Sequence, residues 1–352
     1  MIPPGSTIGI LGGGQLGRML ALAAANMGYR VHILAPEAEL PAGDVAAQVT
    51  RADYTDRDAL RAFAAQIDVA TFEFENIDVE ALRYLATLVP VFPGANALEA
   101  AQDRLAEKRF IAGLGGRAAP YRAVATRAGL DEALAALGIP ALLKTRRFGY
   151  DGKGQARIET PADADAAWAA IGGQPALLEA LVDFDAEFSV LLARGPDGRS
   201  AVYEVPHNAH VRGVLDCSIV PAPDSVTRWR PEAVALAQQA ADALDYVGVL
   251  TLEFFACADG PVFNEMAPRV HNSGHWTIEG ARVSQFENHI RAICGLPLGN
   301  TALAAPSIRM VNLLGEAVHD WATILADNRA HLHLYGKSEV KPGRKMGHVT
   351  WL

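Results

Sequence analysis

The sequence predicts an α/β unit, then an α+β unit, then a short third segment. Two observations carry this prediction. Strand-like and helix-like runs alternate up to about residue 92, and beyond Ala101 several strand-like runs follow one another with only turns between them. Alternation predicts parallel strands with right-handed crossovers, whereas successive hairpins are typical of α+β folds. Because Pro93-Gly94 interrupts the first pattern, we expect domains at residues 1–100, 101–300 and 301–352.

The individual elements follow from the spacing of apolar residues. In the first unit we expect strands at Thr7–Leu11, Arg30–Leu34, Val69–Phe74 and Val89–Phe92, and helices at Leu16–Met27, Asp56–Gln66 and Ile77–Leu88. In the remainder we expect helices at Gln102–Gly113, Glu232–Leu244 and Val283–Cys294, and strands at Tyr121–Ala125, Ala141–Thr145, Ala156–Ile158, Ala176–Leu181, Glu187–Ala193, Ser200–Val205, Gly248–Ala256, Pro261–Met266 and His348–Leu352.

Composition excludes several classes of protein. The chain has 352 residues, and 31 basic against 40 acidic side chains give it a net charge of −9, which disfavours nucleic-acid binding. Ala133–Leu143 is far shorter than the roughly 20 residues that span a bilayer, and no basic region precedes the N-terminal apolar run. Three widely spaced cysteines form no metal motif. We therefore expect a cytoplasmic protein that binds neither nucleic acid nor a membrane.

A glycine-rich turn connects the first strand to the first helix. Residues Gly12 to Gly17 match G-x-G-x-x-G, and Glu37 follows about 20 residues later, as in dinucleotide-binding domains. Glycines at a helix N-terminus let backbone N–H groups approach any anion. The turn is thus compatible with a nicotinamide dinucleotide, with another phosphate or carboxylate, or with no ligand.

The segment Thr71–Asn76, TFEFEN, places two carboxylates near the end of a predicted strand. In an extended chain Glu73 and Glu75 share one face. Parallel sheets bind ligands beyond the carboxyl ends of their strands, so one of these groups could hold ribose hydroxyls. The alternative is a solvated strand end.

A predicted hairpin brings two further glutamates together. If its turn is centred on Asp259, Glu253 and Glu265 lie directly opposite each other in apolar surroundings. Facing carboxylates repel at such a distance and need a counter-ion, and Mg²⁺ takes one or two carboxylates together with substrate phosphates. The alternative is an exposed edge where both side chains point to water.

A second glycine loop, Tyr150–Gln155, is either an Asp-Gly hairpin turn or a flap that covers phosphates with its amides and Lys153. Lys144 lies in an apolar strand, where an unpaired ammonium is costly and a phosphate would compensate it. Arg104 and Lys108 are four residues apart on one helix face, as an exposed basic pair also would be. The chain contains only six lysines, and two of them fall in these suspected phosphate sites.

Together these features resemble the ATP-grasp ligases. The segments GGGQLGRM, FEFEN, YDGKGQ, NEMAPRVHNSGHW and GRKMGH are similar to those of the N5-carboxyaminoimidazole ribonucleotide synthase family, along the whole chain. The resemblance implies an ATP-grasp fold with a Rossmann-like N-terminal domain, a mobile lid around 115–185 and a small C-terminal domain. It implies ATP contacts at Arg104, Lys144, Gly149, Tyr150, Asp151, Gly152, Lys153, Gly154, Gln155, Glu179, Ala180, Leu181, Val182, Glu187, His210, Asn264 and Glu265.

The resemblance also implies the remaining site residues and the reaction. ATP, bicarbonate and 5-aminoimidazole ribonucleotide would give N5-carboxyaminoimidazole ribonucleotide through carboxyphosphate, with Mg²⁺ or Mn²⁺ as the metal and a homodimer as the assembly. Asp151 or His271 could take the amine proton. Metal would be held by Glu253 and Glu265, the ribonucleotide by Gln15, Leu16, Glu75, Lys337, Arg344 and Lys345, and the carboxylation site by Tyr150, Asp151, Arg269, His271, Asn272 and Ser273.

Three other functions are compatible with parts of the sequence. A formate-dependent glycinamide ribonucleotide transformylase or a biotin carboxylase would share the ATP-grasp features but not the Arg269–Ser273 segment or the tail. A nicotinamide-dependent oxidoreductase would use the first glycine turn and leave Lys144 and the paired glutamates unexplained. A nucleotide-binding module without catalysis would bind ATP without turnover.

Overall fold

The computed structural model describes residues 1–149 and 153–352. Over these two ranges the strands form three sheets. No helix in the same ranges is both long enough and apolar enough to cross a membrane.

The first sheet is parallel and has helices on both faces. Its strand order is β3-β2-β1-β4, with β1 in the centre. Leu20 of α1 packs into the core on one face, and Leu60 and Phe63 of α2 pack into the core on the other. The elements are β1 (Thr7–Leu11), α1 (Gln15–Asn26), β2 (Arg30–Leu34), β3 (Gln48–Thr50), α2 (Arg57–Ala64), β4 (Val69–Phe72), α3 (Val79–Ala86) and α4 (Ala95–Gln102).

Two expectations for this sheet are wrong. Val89–Phe92 is not a strand, because only Val91 makes a bridge, to Ala70. The fourth strand is β3, a short and largely exposed run without the apolar pattern that marks a strand. In addition β4 ends at Phe72, so Glu73 lies in the loop beyond the strand.

The second sheet is small and antiparallel. Its order is β5-β8-β6-β7, and β6 is paired on both sides, so Lys144 lies on an interior strand. Its core includes Leu130, Leu143 and Leu178. This part comprises α5 (Arg104–Gly113), β5 (Tyr121–Val124), α6 (Arg127–Leu137), β6 (Ala141–Thr145), β7 (Gln155–Ile158), α7 (Ala164–Ala170) and β8 (Ala176–Ala180).

The third sheet has nine strands among the described residues and includes the C-terminal strands. Its order is β14-β13-β9-β11-β12-β15-β17-β16, with β10 beside β9, so the tail continues the sheet that carries the predicted hairpin. The elements are β9 (Ala186–Arg194), β10 (Ser200–Val202), β11 (His207–Val211), β12 (Val214–Val220), α8 (Asp224–Thr227), α9 (Arg230–Ala243), β13 (Gly248–Cys257), β14 (Gly260–Ala267), α10 (Thr277–Gly280), α11 (Gln285–Ile293), β15 (Ile308–Leu314), α12 (Trp321–Leu325), β16 (Ala330–Leu334) and β17 (Lys345–Trp351).

A buried histidine joins the first sheet to the third. His289 of α11 contacts the Thr71 hydroxyl of β4 through Nε2 at 2.8 Å, and its Nδ1 accepts the Val249 N–H of β13 at 3.1 Å. Phe286 and Ile290 of the same helix share an apolar core with α1. The carboxyl end of the first sheet is thereby held beside the β13–β14 hairpin.

Candidate active site

The first glycine turn is closed by a carboxylate of the chain itself. The N–H groups of Gly14 and Gly17 donate to the two oxygens of Glu73, the second at 2.6 Å. A Cβ on Gly12 would lie 2.4 Å from Glu73 Cγ, and the φ of +108° at Gly12 also favours glycine. The turn does hold an anion, as the sequence indicated. However, that anion is Glu73, so these two amides are not available to a dinucleotide phosphate.

The second glutamate of the FEFEN segment pairs with an arginine from another part of the chain. Glu75 Oε1 lies 2.6 Å from Arg269 Nη2. Burial disfavours the charged guanidinium, but the carboxylates of Glu75 and Glu265 outweigh it and raise the pKa of Arg269. The expectation that Glu73 and Glu75 act together is therefore wrong, since one closes the glycine turn and the other meets the β14 loop.

The predicted hairpin forms, with a different centre. Cys257 is opposite Gly260, so the turn is formed by Ala258 and Asp259 rather than centred on Asp259. A bulge beyond the turn then shifts the register between Leu252 and Phe254. The inferred one-to-one pairing is thus replaced by a bulge.

This bulge still brings the two carboxylates together. Glu253 lies across from two residues, Asn264 and Glu265, because the bulge adds one residue to β14. Burial and the charge of Glu265 both raise the pKa of Glu253. Glu265 is also buried, but Arg104 and Lys144 more than offset that effect and lower its pKa. Arg104 Nη1 is 3.2 Å from Glu265 Oε2.

The residues present at the hairpin fit a divalent cation. Two buried carboxylates whose charges raise one pKa are a donor set that a cation would stabilise. Within the described residues no three His, Cys, Asp or Glu side chains are grouped to hold a metal by themselves. This is the arrangement expected of Mg²⁺, which usually takes one or two carboxylates and completes its shell with water and substrate phosphates.

A buried carboxylate bridges two lysines beside this hairpin. Glu179 Oε2 lies 2.8 Å from Lys144 Nζ, and Glu179 Oε1 lies 3.1 Å from Lys108 Nζ. Burial lowers the pKa of Lys144, whereas the two ammonium groups overcome burial and lower the pKa of Glu179. The cluster carries a net positive charge, as a phosphate site requires. The compensating group that the sequence assigned to a phosphate is, in part, Glu179.

Lys108 is a site residue for which sequence reasoning gave only a weak signal. Its spacing of four from Arg104 also fits an exposed pair, yet the side chain is 1% exposed. Its Nζ donates to the Asn264 carbonyl at 3.5 Å, which connects α5 to the bulge.

The predicted ribose and adenine contacts surround the same region. Glu187 Oε2 lies 3.1 Å from His210 Nδ1 on the neighbouring strand. Burial disfavours protonation of His210, but Glu187 and Glu253 raise its pKa overall. Residues Ala180, Leu181 and Val182 leave the end of β8, and the Phe184 and Phe255 rings stack nearby with centroids 4.7 Å apart.

The glycine flap is described only at its two ends. Arg104 Nη2 donates to the Gly149 carbonyl at 3.5 Å, and the Thr145 N–H donates to the Gly154 carbonyl at 2.7 Å. Gln155 begins β7 opposite Lys144, and Lys153 is exposed. The predictions for Tyr150, Asp151 and Gly152 lie outside the described residues.

The segment after β14 brings His271 to the metal carboxylates. Its Nε2 lies 3.3 Å from Glu253 Oε1, and burial, together with the charge of Arg269, lowers the pKa of the imidazole well below its ordinary value. Asn272 instead exchanges two amide hydrogen bonds with Asn312 of β15, at 2.8 and 2.9 Å. The structure therefore places His271 in the site and engages the amide of Asn272 with the sheet.

The basic tail reaches the site unevenly. Lys337 Nζ donates to the Lys345 carbonyl at 2.8 Å, and burial together with the charge of Arg344 lowers the pKa of Lys337 to about 8. The charge of Lys345 contributes to the pKa of Glu253, so this residue is near the hairpin. Arg344 pairs with Glu39. Gln15 and Leu16 lie half-buried and buried at the start of α1.

Comparison with known proteins places this geometry in a family. Residues 5–102 match the ribonucleotide synthetase preATP-grasp domain, residues 109–286 the ATP-grasp domain, and residues 309–352 the phosphoribosylaminoimidazole carboxylase C-terminal domain. The chain is 50% identical over 352 residues to N5-carboxyaminoimidazole ribonucleotide synthase of Brucella melitensis, covering 99% of this chain and 97% of that protein.

Solved structures agree. The Thermus thermophilus N5-carboxyaminoimidazole ribonucleotide synthetase is 49% identical with a TM-score of 0.90, over 98% of this chain and 93% of that one. The Aspergillus clavatus synthase, in complex with ADP and 5-aminoimidazole ribonucleotide, is 31% identical with a TM-score of 0.89, over 98% and 93% of the two chains. The predicted fold is therefore confirmed, and the chain belongs to the N5-carboxyaminoimidazole ribonucleotide synthases of the ATP-grasp superfamily.

Proposed function

We propose that this chain carboxylates 5-aminoimidazole ribonucleotide with ATP and bicarbonate, and releases N5-carboxyaminoimidazole ribonucleotide, ADP and phosphate in de novo purine biosynthesis. One observation carries the proposal. The paired glutamates of the hairpin, Arg269 and His271 meet Glu75 of the first sheet, so nucleotide and ribonucleotide sites adjoin. The Aspergillus clavatus relative binds ADP and 5-aminoimidazole ribonucleotide together, in support.

ATP would lie between the second and third sheets. The positive cluster of Lys108 and Lys144 and the guanidinium of Arg104 would neutralise its phosphates, and Glu187 would bind its ribose. Glu253 and Glu265 would hold Mg²⁺, or Mn²⁺. The ion supplies charge neutralisation of the phosphate oxygens when it is bound.

Bicarbonate is a poor electrophile and has to be activated. One of its oxygens would attack the γ-phosphorus of ATP, breaking the bond to ADP and forming carboxyphosphate. The ribonucleotide amine would then attack the carboxyl carbon, and phosphate would leave with the C–O bonding pair. Arg269 is placed to bind these anions, because its guanidinium is buried and stays charged beside Glu75.

The amine must lose a proton as the C–N bond forms, and Asp151 and His271 are the two candidate acceptors. Water would hydrolyse carboxyphosphate, so closure of the lid around 115–185 over the site is part of the proposal. The ribonucleotide phosphate would meet Lys337, Arg344 and Lys345, and the sugar would meet Gln15, Leu16 and Glu75.

We also propose a homodimer located in the cytoplasm. Three free cysteines, all buried, are compatible with a reducing compartment. Light scattering of the purified chain tests the dimer, and a mass of one chain at micromolar concentration would contradict it.

The decisive experiment measures ADP release from ATP, Mg²⁺ and bicarbonate with and without 5-aminoimidazole ribonucleotide. We expect turnover to depend strongly on the ribonucleotide and on bicarbonate. Absence of stimulation, or stimulation by formate with glycinamide ribonucleotide instead, would reject the proposal. Omitting bicarbonate from degassed solutions is the matched control, because it leaves both nucleotides in place.

A further inference from the structure

A row of buried hydrogen bonds extends from the back of His271 into the third sheet. Ser218 Oγ donates to Asn208 Oδ1 at 2.8 Å, and Asn208 Nδ2 donates to Ser189 Oγ at 3.0 Å. Ser189 Oγ is 2.7 Å from Ser273 Oγ, which is 2.8 Å from His271 Nδ1. The two middle serines and Ser218 are fully buried, and Asn208 is 2% exposed.

A backbone amide fixes the direction of this row. The Ser273 N–H points at His271 Nδ1 at 3.3 Å, so that nitrogen acts as an acceptor. A bare Nδ1 requires the Ser273 hydroxyl to donate to it, and the Ser189 hydroxyl must then donate to Ser273. The Asn208 amide donates to Ser189 in turn. Exchanging the amide atoms of Asn208 would reverse the row and oppose the backbone N–H, so one assignment satisfies all contacts.

We propose that Ser273, Ser189 and Asn208 are positioning residues that keep the proton of neutral His271 on Nε2, so that His271 acts as a hydrogen-bond donor and not as the acceptor of the amine proton. The inference rests on the proposed carboxylation and narrows its chemistry. Nε2 is the nitrogen that lies 3.3 Å from Glu253 Oε1, on the side of the reacting groups.

The consequence for the reaction follows from the lone pairs of the ring. A protonated Nε2 has none to offer, and a second proton would have to enter at Nδ1, which faces Ser273. Aligned hydroxyls and amides polarise one another in a low-dielectric interior, so each donor strengthens the next. The Nε2–H group therefore suits a developing negative charge on a bicarbonate or carboxyphosphate oxygen, and the amine proton leaves to another group.

The first test reads the tautomer directly. The ¹⁵N NMR spectrum of histidine-labelled protein with Mg²⁺ and ADP, assigned with His271→Gln, should show a protonated Nε2 and a bare Nδ1 at His271. Ser189→Ala and, at the far end of the row, Ser218→Ala should populate the other tautomer, Ser189→Ala more strongly. A proton on Nδ1 in the unmodified chain would overturn the proposal.

The second test separates a donor from a base by two substitutions at His271. The Gln side chain presents an N–H where Nε2 stood but cannot take a proton at neutral pH. As a donor, His271→Gln should retain at least about tenfold more kcat than His271→Ala. Equal losses in both variants would overturn the donor role.

The third test asks whether the row acts through position. Ser189→Ala should lower kcat by about tenfold to a hundredfold while the KM for ATP changes less than about threefold. Thr251→Val is the matched control, because Thr251 is fully buried on β13 and its hydroxyl has no hydrogen-bond partner among the described residues. An unchanged kcat in folded Ser189→Ala would overturn the proposal. If the unmodified chain shows the expected tautomer but no ribonucleotide-dependent turnover, the carboxylation fails and the tautomer assignment stands.

Discussion

At the scale of single residues, Glu107 is a buried carboxyl group that stabilises the hairpin at a cost in free energy. It lies three residues after Arg104 on α5, and its Oε1 accepts the Met266 N–H at 2.6 Å. Burial raises its pKa to about 8, although Arg104 acts in the opposite direction. The carboxyl group is therefore largely protonated at neutral pH in the free protein.

Glu107→Gln should consequently change the pH dependence of stability. From about pH 4.5 to about 8 the folded chain keeps a proton that the unfolded chain releases, so this group lowers the free energy of unfolding as pH rises. The amide keeps the acceptor for Met266 and removes that loss. We expect the variant to be more stable than the unmodified chain by about 2–4 kcal/mol at pH 9, and little changed at pH 4.5.

Urea unfolding at both pH values measures this difference. Glu132→Gln on the exposed face of α6 is the control, and it should shift stability at neither pH. A constant difference between Glu107→Gln and the unmodified chain across the range would contradict the assigned pKa.

Glu265 is the residue on which both the metal and the ATP assignments depend. Glu265→Gln keeps its shape but removes the charge that faces Arg104 and would bind the cation. We expect kcat to fall by at least about a hundredfold with the fold retained, as measured by ADP release and circular dichroism. Glu232→Gln, exposed on α9, should keep full activity. Undiminished turnover of Glu265→Gln at ordinary Mg²⁺ would refute the metal assignment.

What the sequence reveals about single residues depends on whether the partner is local. Glu253 and Glu265 were predictable as neighbours because one hairpin carries both. The partner of the glycine turn was not, since Glu73 reaches Gly14 across 59 positions of the chain. The same limit applies to Arg344, whose partner Glu39 belongs to the first sheet's side of the molecule.

At the scale of elements, one carboxylate ties the segment between β16 and β17 to the segment after β2. Glu39 Oε1 accepts from the Ser338 hydroxyl at 2.6 Å and also from its N–H, while Oε2 pairs with Arg344. The hydrogen bonds from Ser338, followed by Arg344, lower the pKa of Glu39 to about 2. This contact stabilises the tail above pH 4.5 and is lost as pH falls towards 2.

Glu39→Gln should therefore loosen the tail at neutral pH. We expect amide hydrogen exchange across 336–344 to quicken by about threefold to tenfold, because the segment opens more often. The KM for the ribonucleotide should rise while the KM for ATP stays the same. Glu37→Gln, an exposed neighbour, is the comparison. Equal increases in both KM values would show that the tail does not serve the ribonucleotide alone.

The elements that the sequence failed to predict share a physical cause. β3 is three residues long and mostly exposed, so it has no apolar periodicity, and it forms because β2 offers a free edge. The bulge beside Glu253 leaves no mark either, since bulges arise from the packing of both strands. Long apolar strands such as β13 were predicted to within a residue.

At the scale of the whole molecule, neutral histidines lie in the interior. Burial is the largest cause that lowers the pKa of His271, His275, His289 and His348, that of His289 to about 3. Because the unfolded chain binds protons at these positions below about pH 6.5, the free energy of unfolding should fall as pH decreases from there. Each group contributes up to about 1.4 kcal/mol per pH unit.

Denaturant unfolding between pH 7 and pH 5 tests this expectation. His289→Gln should reduce the slope of stability against pH relative to the unmodified chain, whatever its effect at pH 7. The exposed His319, substituted by Gln, should leave the slope unchanged. A stability that does not depend on pH over this range would contradict the assignment of these side chains.

The order of the strands in the third sheet changes how the C-terminal region has to be studied. β17 pairs with β15 on one side and β16 on the other, so it is an interior strand. Shortening the polypeptide at Tyr335 would strip both neighbours of their hydrogen-bonding partner and invite aggregation at the bared edge. Deletion analysis cannot separate recognition from collapse in such an architecture, and side-chain replacement at Lys337 or Lys345 is the approach that can.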